Sequence, residues 1–210
     1  MPPKAKVTRD EGVLTKVSRE EQLVAQAVKL FSSGGYQETA LQEIADRLGI
    51  TRPLFYYYFE SKEDLLWRII GHLGDDLLAH ARPIFASEDA PSAKLYQVIE
   101  SHVAALLTNL DAFRIYFAER HQLDGKRDRR LRRGESTYHD LIVEVIADGQ
   151  DLGEFRSGDP EILARYLIGM ANSTTQWYAE SGRLSVAELS RLAAQLASTA
   201  LSPSQATTSL

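Results

Sequence analysis

The chain has 210 residues, 44% hydrophobic and 25% charged, with a formal net charge of -5 and no cysteine. A compact chain of that length buries roughly 70% of its unfolded surface, so its core needs no covalent staple. Without a thiol there is no disulfide framework, thiolate nucleophile or zinc–thiolate site. No apolar run approaches the ~20 residues that span a bilayer. No apolar h-region follows the charged opening Met1-Pro2-Pro3-Lys4-Ala5-Lys6, so a cytoplasmic protein with no membrane partner is expected.

Seven prolines and 13 glycines punctuate the chain, and between them apolar residues recur three and four apart. That period predicts an all-α fold. Residues 1–17 are polar and aperiodic and read as a flexible arm. Ser18 with Glu21 has the spacing of a capping box, followed by an apolar stripe through Leu23, Ala27, Leu30 and Phe31 and a stop at Gly34-Gly35. Thr39 with Gln42 opens a second, short helix to Leu48, broken at Gly49. Thr51 caps a third, with Pro53 in its first turn. Ser61 with Asp64 starts a fourth that runs to about Ala81, before Pro83. Helices follow at about 92–108, 110–123 and 129–149. Asp159-Pro160 opens another to about Ser181, ended by Gly182. Ser185 with Glu188 caps a last one to about Leu201, and residues 202–210 read as a disordered tail.

Residues 39–62 have the spacing of a helix-turn-helix: two short helices, each with an apolar inner stripe, around the break at Gly49-Ile50. The second helix of such a unit fits the roughly 12 Å major groove. Phe55 and Phe59 lie four apart and face inward, so Leu54, Tyr56 and Tyr57 point away. Phenol hydroxyls bond phosphate oxygens and their rings contact thymine methyl groups. Arg52 can reach a guanine edge or a phosphate, and Thr51 and Lys62 bracket the helix with further phosphate partners. Residues 1–62 hold nine Lys/Arg and eight Asp/Glu, so the acidity of the chain lies beyond them. Two competing readings stand beside it: Tyr56, Tyr57 and Tyr58 are core aromatics of an ordinary bundle, or they are covered by protein in a helical interaction module without DNA binding. Enzymatic chemistry has no support: the five histidines lack metal-ligand spacing, and there is no HExxH, P-loop, GxSxG or GxGxxG motif. No catalytic residue, metal or cofactor is expected.

Ala27-Val28-Lys29-Leu30-Phe31, Gly35-Tyr36, Thr39, Glu43-Ile44-Ala45, Leu48-Gly49-Ile50, Leu54 to Phe59 and Ser61-Lys62-Glu63-Asp64-Leu65 together resemble the DNA-binding domain of TetR-family transcriptional regulators. The resemblance implies an all-helical homodimer of about nine helices. A helix-turn-helix domain would occupy residues 18–62 and a ligand-binding and dimerisation domain residues 63–201. It further implies a repressor on a palindromic double-stranded DNA operator, released by a small-molecule effector. Matched residue by residue, the DNA contacts would fall on Gln42, Thr51, Arg52, Pro53, Leu54, Tyr56, Tyr57, Tyr58 and Lys62. Tyr58 stands where the family commonly has histidine, and Arg52-Pro53 departs from its usual small or glycine-bearing pair, so base preference does not transfer.

Leu163, Leu167, Met170, Leu189, Leu192 and Leu196 recur at helical spacing with small residues between them, which points to dimerisation through the last two helices. Candidate effector-pocket residues are Phe113, Tyr116, Phe117, Arg120, Tyr138, Asn172, Gln176 and Trp177. The segment Asp148 to Arg156, with Gly169-Met170-Ala171-Asn172 and Trp177-Tyr178, resembles TetR-type regulators of fatty-acid and steroid catabolism. That resemblance implies an acyl-CoA or other lipid-like effector. The basic stretch 126–133 would then hold CoA phosphates, or else is a solvated loop.

Overall fold

The computed structural model describes residues 9–203, and among them the regular structure is ten α-helices and one 3₁₀ turn. The helices are α1 (Arg9–Gly34), α2 (Leu41–Arg47), α3 (Arg52–Tyr58), α4 (Lys62–Ile70), α5 (Leu73–Phe85), α6 (Pro91–Thr108), α7 (Leu110–Glu119), α8 (Gly125–Asp151), α9 (Pro160–Trp177) and α10 (Val186–Leu201). Two compact units form. One comprises the described residues up to Ile70 together with Ile115–Leu123, the other Gly71–Arg114 and the chain from Asp124 onward. The first unit thus takes in α4, eight residues beyond the expected boundary at 62.

In the first unit α1 packs on α2 and α4, and α2 on α3. Leu23, Ala27, Leu30 and Phe31 of α1 are buried with Ile44, Ala45, Phe55, Phe59, Leu65 and Leu66. The stripe read from the sequence is therefore the core. Helix α1 starts at Arg9, so Ser18 lies within it and no helix starts there. Arg, Glu, Leu and Lys are good helix formers, and the helix extends through them. Of the expected flexible arm 1–17, residues 9–17 are helical instead, and residues 1–8, like most of the expected tail, 204–210, lie outside the described residues.

The second unit is built around α6, which packs against α5, α8, α9 and α10. Leu95, Val98, Ile99 and Val103 of α6 meet Ile142 and Ile146 of α8, Ala164 and Ala171 of α9, and Ala194 and Ala197 of α10. The alanines let helix axes come close. Side-chain capping explains several of the starts. Asp159 accepts from the Glu161 backbone N–H. Ser185 and Glu188 form the expected reciprocal box. Asp64 N–H donates to Ser61 Oγ.

Several further boundaries differ from the sequence expectation. The expected helix to Ala81 is two helices, α4 and α5, with a turn at Gly71-His72. Glycine is a poor helix former and tolerates the break. Helix α5 then continues through Pro83 to Phe85, because Ile84 and Phe85 pack against the core. The basic stretch 126–133 is the start of α8 and no loop, since Asp124 Oδ1 accepts from both the Lys126 and Arg127 N–H groups at 2.8 Å. Helix α9 ends at Trp177, short of Gly182. There the Arg114 guanidinium binds the carbonyls of Thr175 (2.8 Å) and Tyr178 (2.9 Å), a cation at the negative end of the helix dipole.

Candidate nucleic-acid interface and effector groove

The turn between α2 and α3 is set by Gly49. Its φ is +61°, in the left-handed region that favours glycine. Gly49 N–H donates to the Asp46 carbonyl and Ile50 N–H to the Ala45 carbonyl, the paired bonds of a Schellman motif, and Ile50 is buried beside them. Thr51 stands at the N-cap of α3 but makes no side-chain cap bond, so its hydroxyl stays available. Thr39 does not cap α2, whose N-cap is Ala40. It is buried, and its hydroxyl donates 2.7 Å to the Gly35 carbonyl.

Helix α3 has two faces. Phe55 and Phe59 are buried, with ring centroids 5.7 Å apart. Each contributes about 2–3 kcal/mol of burial that locks the helix onto the core. Leu54, Tyr56 and Tyr57 point outward at 39%, 43% and 64% exposure. Tyr58 is half-buried and meets the Tyr57 ring edge-on. Arg52 lies over the Tyr56 ring, its guanidinium carbon 5.7 Å from the centroid. Arg52 and Pro53 are exposed. On α2, Gln42 is exposed and donates 2.7 Å to Asp46 Oδ1.

Lys62 does more than flank the helix. Its Nζ donates to the Gln37 carbonyl (3.2 Å) and sits 4.4 Å above the Tyr36 ring. Burial lowers the pKa of this ammonium, opposed by the charges of Glu38 and Glu119. Burial, aided by Glu63 and Glu119, pushes the Tyr36 phenol up to about 12. The lysine ties the start of α4 to the turn before α2. The sequence showed its charge but not this anchoring, because Gln37 lies 25 residues away.

In the second unit, Asn172 and Tyr138 are brought together by a residue the sequence reading did not nominate. His102 Nδ1 lies 2.9 Å from Tyr138 Oη, and His102 Nε2 lies 2.9 Å from Asn172 Oδ1. Burial pushes the imidazole pKa down to about 4 and the Tyr138 phenol up. The available signal was a histidine in the apolar stripe Val98, Ile99, Val103 and Leu106. Asn172 also lines an open groove of about 780 Å³ between α8 and α9, with Ser136, His139 and Ile168.

Tyr116, Phe117 and Arg120 belong to the first unit, where Arg120 lies over the Tyr116 ring at 5.4 Å and Phe117 is exposed. Phe113 is buried, whereas Gln176 and Trp177 are exposed at the end of α9. Among the described residues, one grouping has metal-ligand chemistry: donor atoms of His139, Asp140 and Glu161 lie within 4.8 Å of one another. Glu161 is also 3.6 Å from Arg165, whose cation serves the same carboxylate.

A two-faced recognition helix carried on a glycine-turned helix pair defines a helix-turn-helix regulator. The family described as "Bacterial regulatory proteins, tetR family" matches residues 23–69, and "Tetracyclin repressor-like, C-terminal domain" matches residues 88–201. The chain belongs to the TetR family and is a DNA-binding transcriptional regulator, not an enzyme. It is 30% identical over 173 residues to the HTH-type transcriptional repressor KstR2 of Rhodococcus jostii (strain RHA1), covering 81% of this chain and 85% of that protein. It is 22% identical over 83% of the chain to the fatty acid metabolism regulator protein of Bacillus subtilis (strain 168), covering 91% of that protein. The crystal structure of a TetR/AcrR-family regulator from Thermobifida fusca YX-ER1 matches with a TM-score of 0.67 at 34% identity, over 86% of this chain and 97% of that one. The fold also matches KstR2 of Mycobacterium tuberculosis, with a TM-score of 0.82 at 22% identity over 88% and 95% of the chains. No helix among the described residues is long and apolar enough to cross a membrane.

Proposed function

We propose that this regulator is a cytoplasmic repressor that binds a palindromic operator as a homodimer and is released by an acyl-CoA or related lipid-like effector. The observation that carries the DNA reading is the outward face of α3. A helix of seven residues exposes Leu54, Tyr56 and Tyr57 while Phe55 and Phe59 hold it rigidly from below. Arg52, Pro53, Leu54, Tyr56 and Tyr57 meet base edges and phosphates. Gln42, Thr51 and Tyr58 add contacts at the rim of the groove, and Lys62 holds the start of α4 where its remaining N–H donors face a phosphate.

The repressor sense is supported by the KstR2 relatives, which are named repressors. The effector class is supported by a relative named for fatty-acid metabolism and by AibR, whose structure with isovaleryl coenzyme A and operator DNA shares this fold at a TM-score of 0.74. The groove between α8 and α9 has the size of a small-molecule site. For the dimer, α9 exposes Ile162 and Tyr166 and α10 exposes Leu192 and Leu196, each pair four residues apart on one helical face. Exposed apolar stripes of this kind mark association surfaces.

A gel shift on the DNA upstream of the protein's own gene tests the reading. Tyr57→Ala and Arg52→Ala are expected to weaken binding at least about tenfold, or 1.4 kcal/mol, while the circular dichroism spectrum is kept. Binding falls steeply with salt as phosphate contacts release counterions. Wild-type affinity in both variants, or a flat salt response, refutes the assignment of α3 and restores the interaction-module reading.

A further inference from the structure

The effector groove has a built-in polarity. Tyr138 Oη, His102 and Asn172 form one chain from the core to the groove, with both links at 2.9 Å. The Tyr138 hydroxyl is buried and must place its proton on an acceptor. The acceptor at hand is His102 Nδ1. Were Nδ1 protonated, the phenol could only accept, and its own hydrogen would be stranded in an apolar core. Nδ1 is therefore the bare nitrogen. The neutral imidazole then carries its hydrogen on Nε2 and donates it to the Asn172 side-chain oxygen. Burial keeps the ring neutral, so it does not donate at both ends. With its oxygen taken up by His102, the Asn172 carboxamide has its two N–H donors left to offer, and Asn172 lines the groove.

We infer that Asn172 is the specificity residue of this groove, donating to a carbonyl-type acceptor on the effector, with His102 and Tyr138 as the positioning residues that hold it in that sense. This rests on the effector-released reading above. His139 also lines the groove, and its buried Nε2 lies 3.9 Å from the Glu161 carboxylate without a hydrogen bond. One turn before Asn172, Gly169 has open space where a side chain would stand, leaving room beside the carboxamide. Ile168 is the one large apolar side chain of the lining, which also holds Arg132, Glu135, Asp140, Glu161 and Arg165. The chemistry that matches is a thioester, ketone or amide oxygen set among polar groups, as at the junction of an acyl-CoA's acyl and pantetheine parts.

The test uses two ligands that differ only in that oxygen: an acyl-CoA thioester and the S-alkyl-CoA thioether of equal chain length. Affinity is measured by calorimetry on the full-length protein, and operator release by fluorescence anisotropy. Wild type is expected to bind the thioester at least about tenfold tighter, the factor for 1.4 kcal/mol of one hydrogen bond. Asn172→Asp keeps an acceptor for His102 but offers no donor, so the ratio is expected to fall to near one with operator binding intact. Nitrogen-15 spectra of labelled histidine are expected to show His102 protonated at Nε2. Equal affinities in wild type, a ratio that survives in Asn172→Asp, or an Nδ1-protonated His102 each overturn the subsite while leaving the effector class standing. If neither compound binds wild type at any chain length, the acyl-CoA reading falls and the subsite falls with it.

Discussion

His102 shows how much one buried side chain can impose on a helical core. It sits on α6 among Val98, Ile99, Val103 and Leu106, and both ring nitrogens are satisfied across helices. Its folded pKa, about 4, is below the ordinary 6.5 because burial disfavours the charged ring. The unfolded chain therefore takes up a proton at a higher pH than the folded one. Stability is full above pH 6.5, declines as pH falls toward 4, and levels off below. The size of that decline is on the order of 3 kcal/mol. Urea midpoints at pH 7.5 and 4.5 should reveal it, and His102→Gln should flatten that part of the pH profile. An unchanged profile in the variant would mean that other groups carry the acid sensitivity.

Among elements, helix ends are where chemistry local to the sequence met its limit. Ser185–Glu188 and Asp159 were readable, because a cap needs only residues two or three apart. The end of α8 was only partly so. Gly153 (φ +73°) turns the chain, Glu154 N–H donates 2.8 Å to the Gly149 carbonyl, and Phe155 folds back over Gly149. A Cβ at Gly149 would collide with the Phe155 ring. Gly149→Ala is thus expected to destabilise the fold by about 1–3 kcal/mol, the range for overpacking, although alanine is the better helix former. Denaturant unfolding checks it, and a more stable variant would show that the ring moves aside freely. Thr39 teaches the converse lesson. Its spacing to Gln42 matched a capping box, but its hydroxyl is bonded to the Gly35 and Leu30 carbonyls. Burial outcompeted the local motif.

For the whole molecule, the decisive question is how two copies present α3 to DNA. Successive major grooves on one face of the duplex lie roughly 34 Å apart, so a single subunit reads half a site. Leu192 and Leu196 of α10, exposed in the single chain, are expected to be covered in the dimer. The double variant Leu192→Asp and Leu196→Asp should run as a monomer in light scattering. It should lose most operator affinity while its secondary structure persists. A stable dimer in that variant would move the interface to another surface.

The sequence by itself determined the all-α class, the helix-turn-helix and its outward tyrosines, the core stripe of α1 and the family. Each of these rests on periodicity or on residues within a few positions of one another. The tertiary structure decided the rest. It split the expected fourth helix at Gly71, stopped α9 with Arg114, bound Lys62 to Gln37, and joined His102, Tyr138 and Asn172 from three helices. It also left Tyr116, Phe117 and Arg120 outside the unit that holds the groove. The Lys62, Arg114 and His102 contacts depend on partners 25 to 70 residues apart in the chain. Local spacing carries no record of such distances, because packing of the helices alone brings the partners within hydrogen-bonding reach.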